Sequence, residues 1–411
     1  MGTHQFANIR RQLHLSNTFW DDSTANGLVD IVATDMRDGL VNDRDGRTIV
    51  NFSSYSYLGL DSDPRIVAGA HRGLDETATI NSSISRMRIR LSLLEEAEQR
   101  LSRTFGAQAV TVSSCAAAAW ATLPLLASGE LTDGRPPLVV FDKNAHFCLN
   151  AMKPLVADET ELVTIEHNDI AALEELCRTH ATVAYVADGV YSTGGGAPLR
   201  ELHRLQDRYG LFLYFDEAHG ISTIGPGGRG YVLGAHEGWR ERTLVIASLN
   251  KGFGASGGVI FHGAEGDHSR TPTLLRTSGP LMWSQRVNTA GLGAIVAACD
   301  LHDDGTVDTL QRALRERVRL FDSLVDTELA GDGLPIRFVS IGSEDVTVAV
   351  ARDMLEAGFY TSPVFFPIIR RGSAGLRLML RADLAPETIH RFADILSASL
   401  AEHQQRAEQP A

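Results

Sequence analysis

Lysine is almost missing from this chain. Of 38 basic residues in 411, only Lys143, Lys153 and Lys251 are lysines. Any chemistry that needs a primary amine on a side chain therefore has three places to happen. Basic clusters are also missing: the formal net charge is −13 and the arginines are interleaved with acids. That excludes a nucleic-acid surface, which needs clustered positive charge against phosphates. Only four cysteines occur (Cys115, Cys148, Cys177, Cys299), widely spaced and without a C-x-x-C pair. They exclude a disulfide frame or zinc knuckle and read as reduced thiols of a cytoplasmic protein. No apolar run approaches the roughly 20 residues of a membrane helix. The segment MGTHQFANIRRQLHL contains no apolar signal core. No metal-ligand pattern stands out, so no metal is expected.

What is present is the composition of a globular protein, 44% hydrophobic and 22% charged. Residues 1 to about 48 read as an amphipathic arm leading to a hairpin with the Asp-Gly turn of NDRDGRTIVNF. Seven short apolar runs follow: AVTVSS (109–114), PLVVFD (137–142), ELVTIE (161–166), TVAYVAD (182–188), LFLYFD (211–216), TLVIAS (243–248) and GGVIFHG (257–263). Helical patterns such as DIAALEELCRTH and LRELHRLQDRYG separate them. Continuous apolar strands alternating with helices predict an α/β fold, with a mostly parallel seven-stranded sheet covered on both faces. The C-terminal part reads as a smaller α+β domain. The expected divisions are an arm and hairpin at 1–60, a large domain at 61–290 and a small domain at 291–411.

Ligands of such sheets collect beyond the carboxyl ends of the strands, and three motifs lie there. DEAHG places Asp216 and His219 after one strand; SLNKGFG places Ser248 and Lys251 after another; SSCAAAA has Ser113 and Ser114 opening an alanine-rich helix. Singly they are weak. An aspartate after a strand is commonly a cap, a lysine in a glycine-rich turn commonly a solvated loop residue, and a serine before alanines an N-cap. Together they answer the needs of an aldehyde cofactor. A lysine amine can hold it as a Schiff base, a carboxylate can keep a ring nitrogen protonated, and small residues at a helix N-terminus offer N–H groups to a phosphate. Ser114, Cys115 and Ala116 fit the last role. The rarity of lysine singles out Lys251.

DEAHG, then IGPGGRG (224–230), then the S-L-N-K turn resembles the α-oxoamine synthase family of fold-type I (aspartate aminotransferase-like) pyridoxal 5′-phosphate (PLP) transferases. The likeness runs from NFSSYSYLGL to GLRLML. It implies a PLP enzyme that forms a quinonoid from an amino acid, adds it to an acyl thioester and releases carbon dioxide. On matching positions it implies Lys251 as the Schiff-base lysine, Asp216 at the pyridine nitrogen, and His219 and Ser192 at the phenolic oxygen. His146 of FDKNAHFCLN would stack on the ring, and Asp188 belongs with the cofactor contacts. Ser114–Ala116 and Ser248 would hold the phosphate with Thr277 or Ser278 from a neighbouring subunit, implying an obligate homodimer.

The departures from the family pattern lie on the substrate side. Its N-x-Y-L-G-L asparagine is Tyr55 here, its glycine-rich stretch has become INSSISRMRIRLSLL, and the first arginine of G-T-x-R-L-R is Gly375, leaving Arg377. A carboxylate without its arginine loses a strong paired hydrogen bond, so Arg86, Arg370 or Arg371 become candidates to replace it. Alternatively, Arg86, Arg88 and Arg90 form a solvated helix face. Two other functions fit less well: elimination, replacement or annulation on an unusual donor such as S-adenosylmethionine, and a catalytically retired partner subunit. An ordinary aminotransferase shares the fold, but DEAHG favours the synthase branch.

Overall fold

The computed structural model describes residues 18–408 apart from 367, so the expected arm at 1–17 lies outside the described residues. The chain divides into two compact units. The larger comprises 63–192 and 196–311; the smaller holds the N-terminal residues through Ser62, a three-residue piece at 193–195, and everything from Arg312 onward.

The smaller unit starts with strands β1 (Ala33–Arg37), β2 (Leu40–Asp43) and β3 (Thr48–Asn51), joined antiparallel. The expected Asp-Gly turn links β2 to β3: Gly46 has φ +80°, and Asp43 accepts hydrogen bonds from the backbone of Asp45 and Arg47.

The larger unit carries the seven expected strands: β4 (Ala107–Val112), β5 (Leu138–Asp142), β6 (Leu162–Ile165), β7 (Val183–Asp188), β8 (Phe212–Asp216), β9 (Thr243–Ser248) and β10 (Gly258–Ala264). They form one sheet in the order β4-β10-β9-β8-β7-β5-β6. Only β10 runs against its neighbours, while β9-β8-β7-β5-β6 are parallel throughout. Almost every residue of β4, β5, β7, β8 and β9 is buried, which is why these runs lack polar alternation.

Helices of this unit include α1 (Pro64–Thr77), α2 (Ser92–Phe105), α3 (Cys115–Ala127), α4 (Ile170–Thr179), α5 (Leu199–Tyr209) and α6 (Thr289–Asp303). Asp169 caps α4 by accepting from the amide of Ala172, and Gly210 ends α5 with φ +68°. A core of Val110, Leu123, Leu126, Phe141, Val186, Tyr214 and Ile246 lies where α3 packs on the sheet. Helix α6 belongs to this unit although most of it lies beyond residue 290. It lies directly on α1, where a Cβ on Gly293 would stand 2.1 Å from the Gly69 carbonyl oxygen and one on Gly73 2.1 Å from that of Thr289. Bare glycine backbones permit that approach.

In the smaller unit β11 (Ile336–Gly342) completes a three-stranded antiparallel sheet, in which β14 (Ala374–Met379) lies between it and β13 (Ser362–Val364). The two-residue β12 (Phe359–Tyr360) pairs in parallel with β3. The N-terminal hairpin is therefore sheet-bonded to the C-terminal part rather than forming an appendage of its own.

Candidate active site

Parallel β5, β7, β8 and β9 end at one edge with Asp142, Asp188, Asp216 and Ser248, and Asp188 lies directly opposite Asp216. Strand β4 leads to the same edge, where Ser114 caps α3 by accepting from the Ala117 amide at 3.1 Å. A Cβ on Gly258 would come within 2.6 Å of the Cys115 nitrogen, so only glycine there lets β10 lie against the first turn of α3.

The lysine singled out by its rarity sits at this edge. Its Nζ is 2.9 Å from Nε2 of His219. Burial lowers the lysine's pKa, and Asp216 is foremost among the charges that oppose the effect. The two other lysines are occupied elsewhere. Lys143 pairs with Glu166 at 2.8 Å on the surface, and Lys153 donates to Thr164 at 3.0 Å.

Asp216 is buried, and its Oδ1 accepts from the Ala218 amide at 2.9 Å. Around it stand two thiols, Cys115, expected at the phosphate, and Cys148, which the sequence marks only as a scattered cysteine. Cys115 Sγ is 3.5 Å from Oδ1, and Cys148 Sγ is 3.4 Å from Oδ2. Cys148 Sγ also lies 3.0 Å from His146 Nδ1, and the His146 amide donates to Asp188 at 2.9 Å. The hydrogen bond to Cys148 raises the His146 pKa. Cys148 itself is pulled below the usual thiol range, first by its bond to Cys115, and Cys115 is pushed up. Burial and then Asp216 push the Asp188 carboxyl up. The result is a continuous polar chain Asp216–Cys148–His146–Asp188, with Lys251 and His219 in the same cluster.

This arrangement fits an aldehyde-bearing pyridine. A half-buried amine whose pKa is lowered by desolvation suits imine formation, which needs a neutral amine. Apart from one amide, the hydrogen-bond partners of Asp216 among the described residues are weak S–H donors, so its carboxylate retains capacity for a strong N–H donor. The ligand atoms of His146, Cys148 and Asp216 also lie within 4.8 Å of one another, close enough for a metal ion, but the adjoining lysine amine is a feature only the aldehyde explains.

The remaining expected residues are distributed unevenly. Ser248 is buried, with its Oγ accepting from the Asn250 amide at 3.3 Å, and Ser192 is half-buried. The Thr277 hydroxyl bonds the Thr273 carbonyl, while Ser278 is buried with no partner for its Oγ among the described residues. Arg86 is engaged elsewhere: its Nη2 reaches both oxygens of Glu98 at 2.8 and 2.9 Å. Arg88 and Arg90 are exposed, in a turn and irregular backbone rather than on a helix. Tyr55, Arg370, Arg371 and Arg377 belong to the smaller unit, where Arg377 Nη2 donates to the Tyr55 hydroxyl at 2.7 Å and Arg370 is exposed. Gly375 has a local cause, since a Cβ there would stand 2.2 Å from the Val339 oxygen and 2.7 Å from the Phe338 ring. No arginine fits this strand position.

The family of aminotransferases of class I and II matches residues 47–396. The chain belongs to that family. Its cofactor is accordingly PLP and its enzyme class transferase. Among curated relatives, an 8-amino-7-oxononanoate synthase of Maricaulis maris is 30% identical over 88% of this chain and 89% of its own length. One from Gluconacetobacter diazotrophicus is 29% identical over 94% and 97%. Among solved structures, serine palmitoyltransferase of Sphingomonas wittichii superposes with a TM-score of 0.82 at 20% identity, covering 96% of this chain and 98% of that one. This class I and II member therefore lies with the α-oxoamine synthases, and the expected fold is borne out. Cys148 is the site residue that sequence reading missed; its position two residues after His146 was the available signal.

Proposed function

We propose that this aminotransferase-family enzyme is an α-oxoamine synthase, condensing an amino acid with an acyl thioester and releasing carbon dioxide and the free thiol to leave an α-aminoketone. The observation that carries the reading is the half-buried Lys251 amine 2.9 Å from His219, clustered with Asp216 of DEAHG. When bound, PLP supplies an aldehyde for the lysine and an electron-accepting ring for the substrate carbanion.

The chain's residues divide the remaining work. Asp216 holds the proton of the ring nitrogen. His219 and Ser192 hold the phenolic oxygen, and His146 covers the ring face with its orientation set by Cys148 and Asp188. The amides of Ser114–Ala116 and the Ser248 hydroxyl hold the phosphate, joined by Thr277 and Ser278 of a second copy in a homodimer. Lys251 Nζ would take the proton from the substrate α-carbon. Its burial favours the neutral form this step requires. Tyr55 and Arg377 are the proposed substrate contacts, with Arg370 as a further candidate for the carboxylate. Four free thiols suit a reducing compartment, and we assign the enzyme to the cytoplasm. Among the described residues no helix is long and apolar enough to cross a membrane.

The relatives lend no support to S-adenosylmethionine annulation or to a retired subunit, and the presence of Lys251 opposes the latter. The test incubates the PLP-loaded protein with a panel of amino acids and acyl-CoAs. Expected products are free CoA, carbon dioxide and a mass-matched aminoketone. Absence of all three across the panel overturns the proposal.

A further inference from the structure

Arginines 86 and 286 form a buried pair with too little negative charge around it. Both are more than nine-tenths buried, at 6% and 8% exposure. Among the described residues only Glu98 neutralises them, and its carboxylate is already crowded: it takes Arg86 through both oxygens, and Oε1 also accepts the amide and hydroxyl of Thr111. Arg286 has no carboxylate partner among the described residues, and both its Nη atoms donate to one backbone oxygen, that of Ile84, at 3.0 and 2.8 Å. The Nε atoms of both arginines are buried without a partner among the described residues.

Elsewhere the same chain handles a buried arginine differently. Fully buried Arg337 has Asp322 at 2.6 and 2.8 Å and Asp332 at 3.0 Å. Two guanidiniums sharing one carboxylate leave a net positive charge in a desolvated place, which is costly unless an anion completes it.

A narrow cleft runs between the two arginines. Thr111, Val112, Pro280, Leu281, Ser284 and Gln285 complete its wall, with no acidic side chain among them. Ser284 and Gln285 are exposed and form its mouth. Its free interior is about that of one water, which limits a ligand to halide size or to a single inserted oxygen of an oxyanion.

We propose that this cleft is an anion site, taking chloride or one oxygen of inorganic phosphate between the Nε–H groups of Arg86 and Arg286. The bound anion ties the 84–86 turn to the 280–286 segment, closing the loops that flank the end of β4. The lining shares no residue with the Lys251 cluster, and the proposal does not depend on the reaction assigned to that cluster.

The test melts the PLP-loaded protein in sodium gluconate, replaced stepwise by chloride or phosphate at constant ionic strength. Gluconate, a weakly coordinating carboxylate on a bulky polyol chain, is the reference anion. The expected result is a saturable rise on the order of 3–5 °C at a hundredfold excess over Kd, with the more effective anion naming the ligand. Arg286→Met should remove the rise. Should that variant not fold, anomalous diffraction from wild-type crystals soaked in bromide decides instead, with a peak expected between the two Nε atoms. Equal melting in all three salts overturns the proposal. So does a carboxylate of a second copy filling the cleft, or a bromide peak without any response in solution, which would be binding at crystal concentration only.

Discussion

Glu217, next to Asp216 in DEAHG, should make this protein lose stability as pH rises through neutrality. It is fully buried. Its Oε2 accepts from the Val232 amide, while Oε1 has no partner and is wedged between Gly189 and Gly220. Burial is the main cause that raises its pKa from 4.5 to about 8, with Asp216 adding to it and the amides of Val232 and Tyr231 opposing. The folded state therefore keeps this proton at pH values where the unfolded chain has released it. Stability from this group is complete below pH 4.5, declines as pH rises, and is gone above about 8. At 1.36 kcal/mol per pH unit the whole span is worth roughly 5 kcal/mol, of which about 3 falls between pH 5.5 and 8. Glu217→Gln keeps the shape and the acceptor for Val232 but cannot ionise. Urea denaturation of both proteins at several pH values isolates the group, because other titrations cancel in the difference. The glutamine variant should gain on wild type by about 3 kcal/mol across that window. A difference that stays flat with pH refutes the reasoning.

Other substitutions test other parts of the site. Lys251→Ala should abolish the visible absorbance of the lysine-bound cofactor and cut turnover below about 10⁻³ of wild type, with the far-ultraviolet circular dichroism unchanged. Cys148→Ala should cost about 1 kcal/mol in denaturation and return the His146 pKa downward, visible as an acid-ward shift in the ring's NMR titration; an unmoved titration denies Cys148 its positioning role. Gly375→Ala should destabilise by about 1–3 kcal/mol through overpacking against Phe338 and Val339. Gly375→Arg should be worse and should not improve amino-acid affinity, so a stable arginine variant with a lowered KM would refute the packing explanation.

The seven strands could be predicted because all but the edge strand β6 are buried on both faces and so read as unbroken apolar runs. Lys251 was legible through its rarity, and Asp216 and His219 through a motif confined to five residues. Other features were not open to this kind of reading. Cys115 follows β4, Cys148 follows β5 and Asp216 ends β8, so nothing local announces that two thiols flank one carboxylate. The pairing of β3 with β12 joins segments some 300 residues apart. Arg86 read as a candidate clamp until its partner Glu98 was visible.

By itself, then, the sequence determined the sheet and the cofactor chemistry and singled out the lysine proposed to hold the cofactor, because backbone periodicity and reactive groups are properties of short segments. Only the tertiary structure decided how those groups are tuned and what surrounds them. It gathered a histidine, two thiols and two aspartates around one strand edge, barred a side chain at Gly375, and left Arg86 and Arg286 short of negative charge. Burial, hydrogen bonding and charge balance depend on which distant segments meet, and that is settled only when the chain has folded.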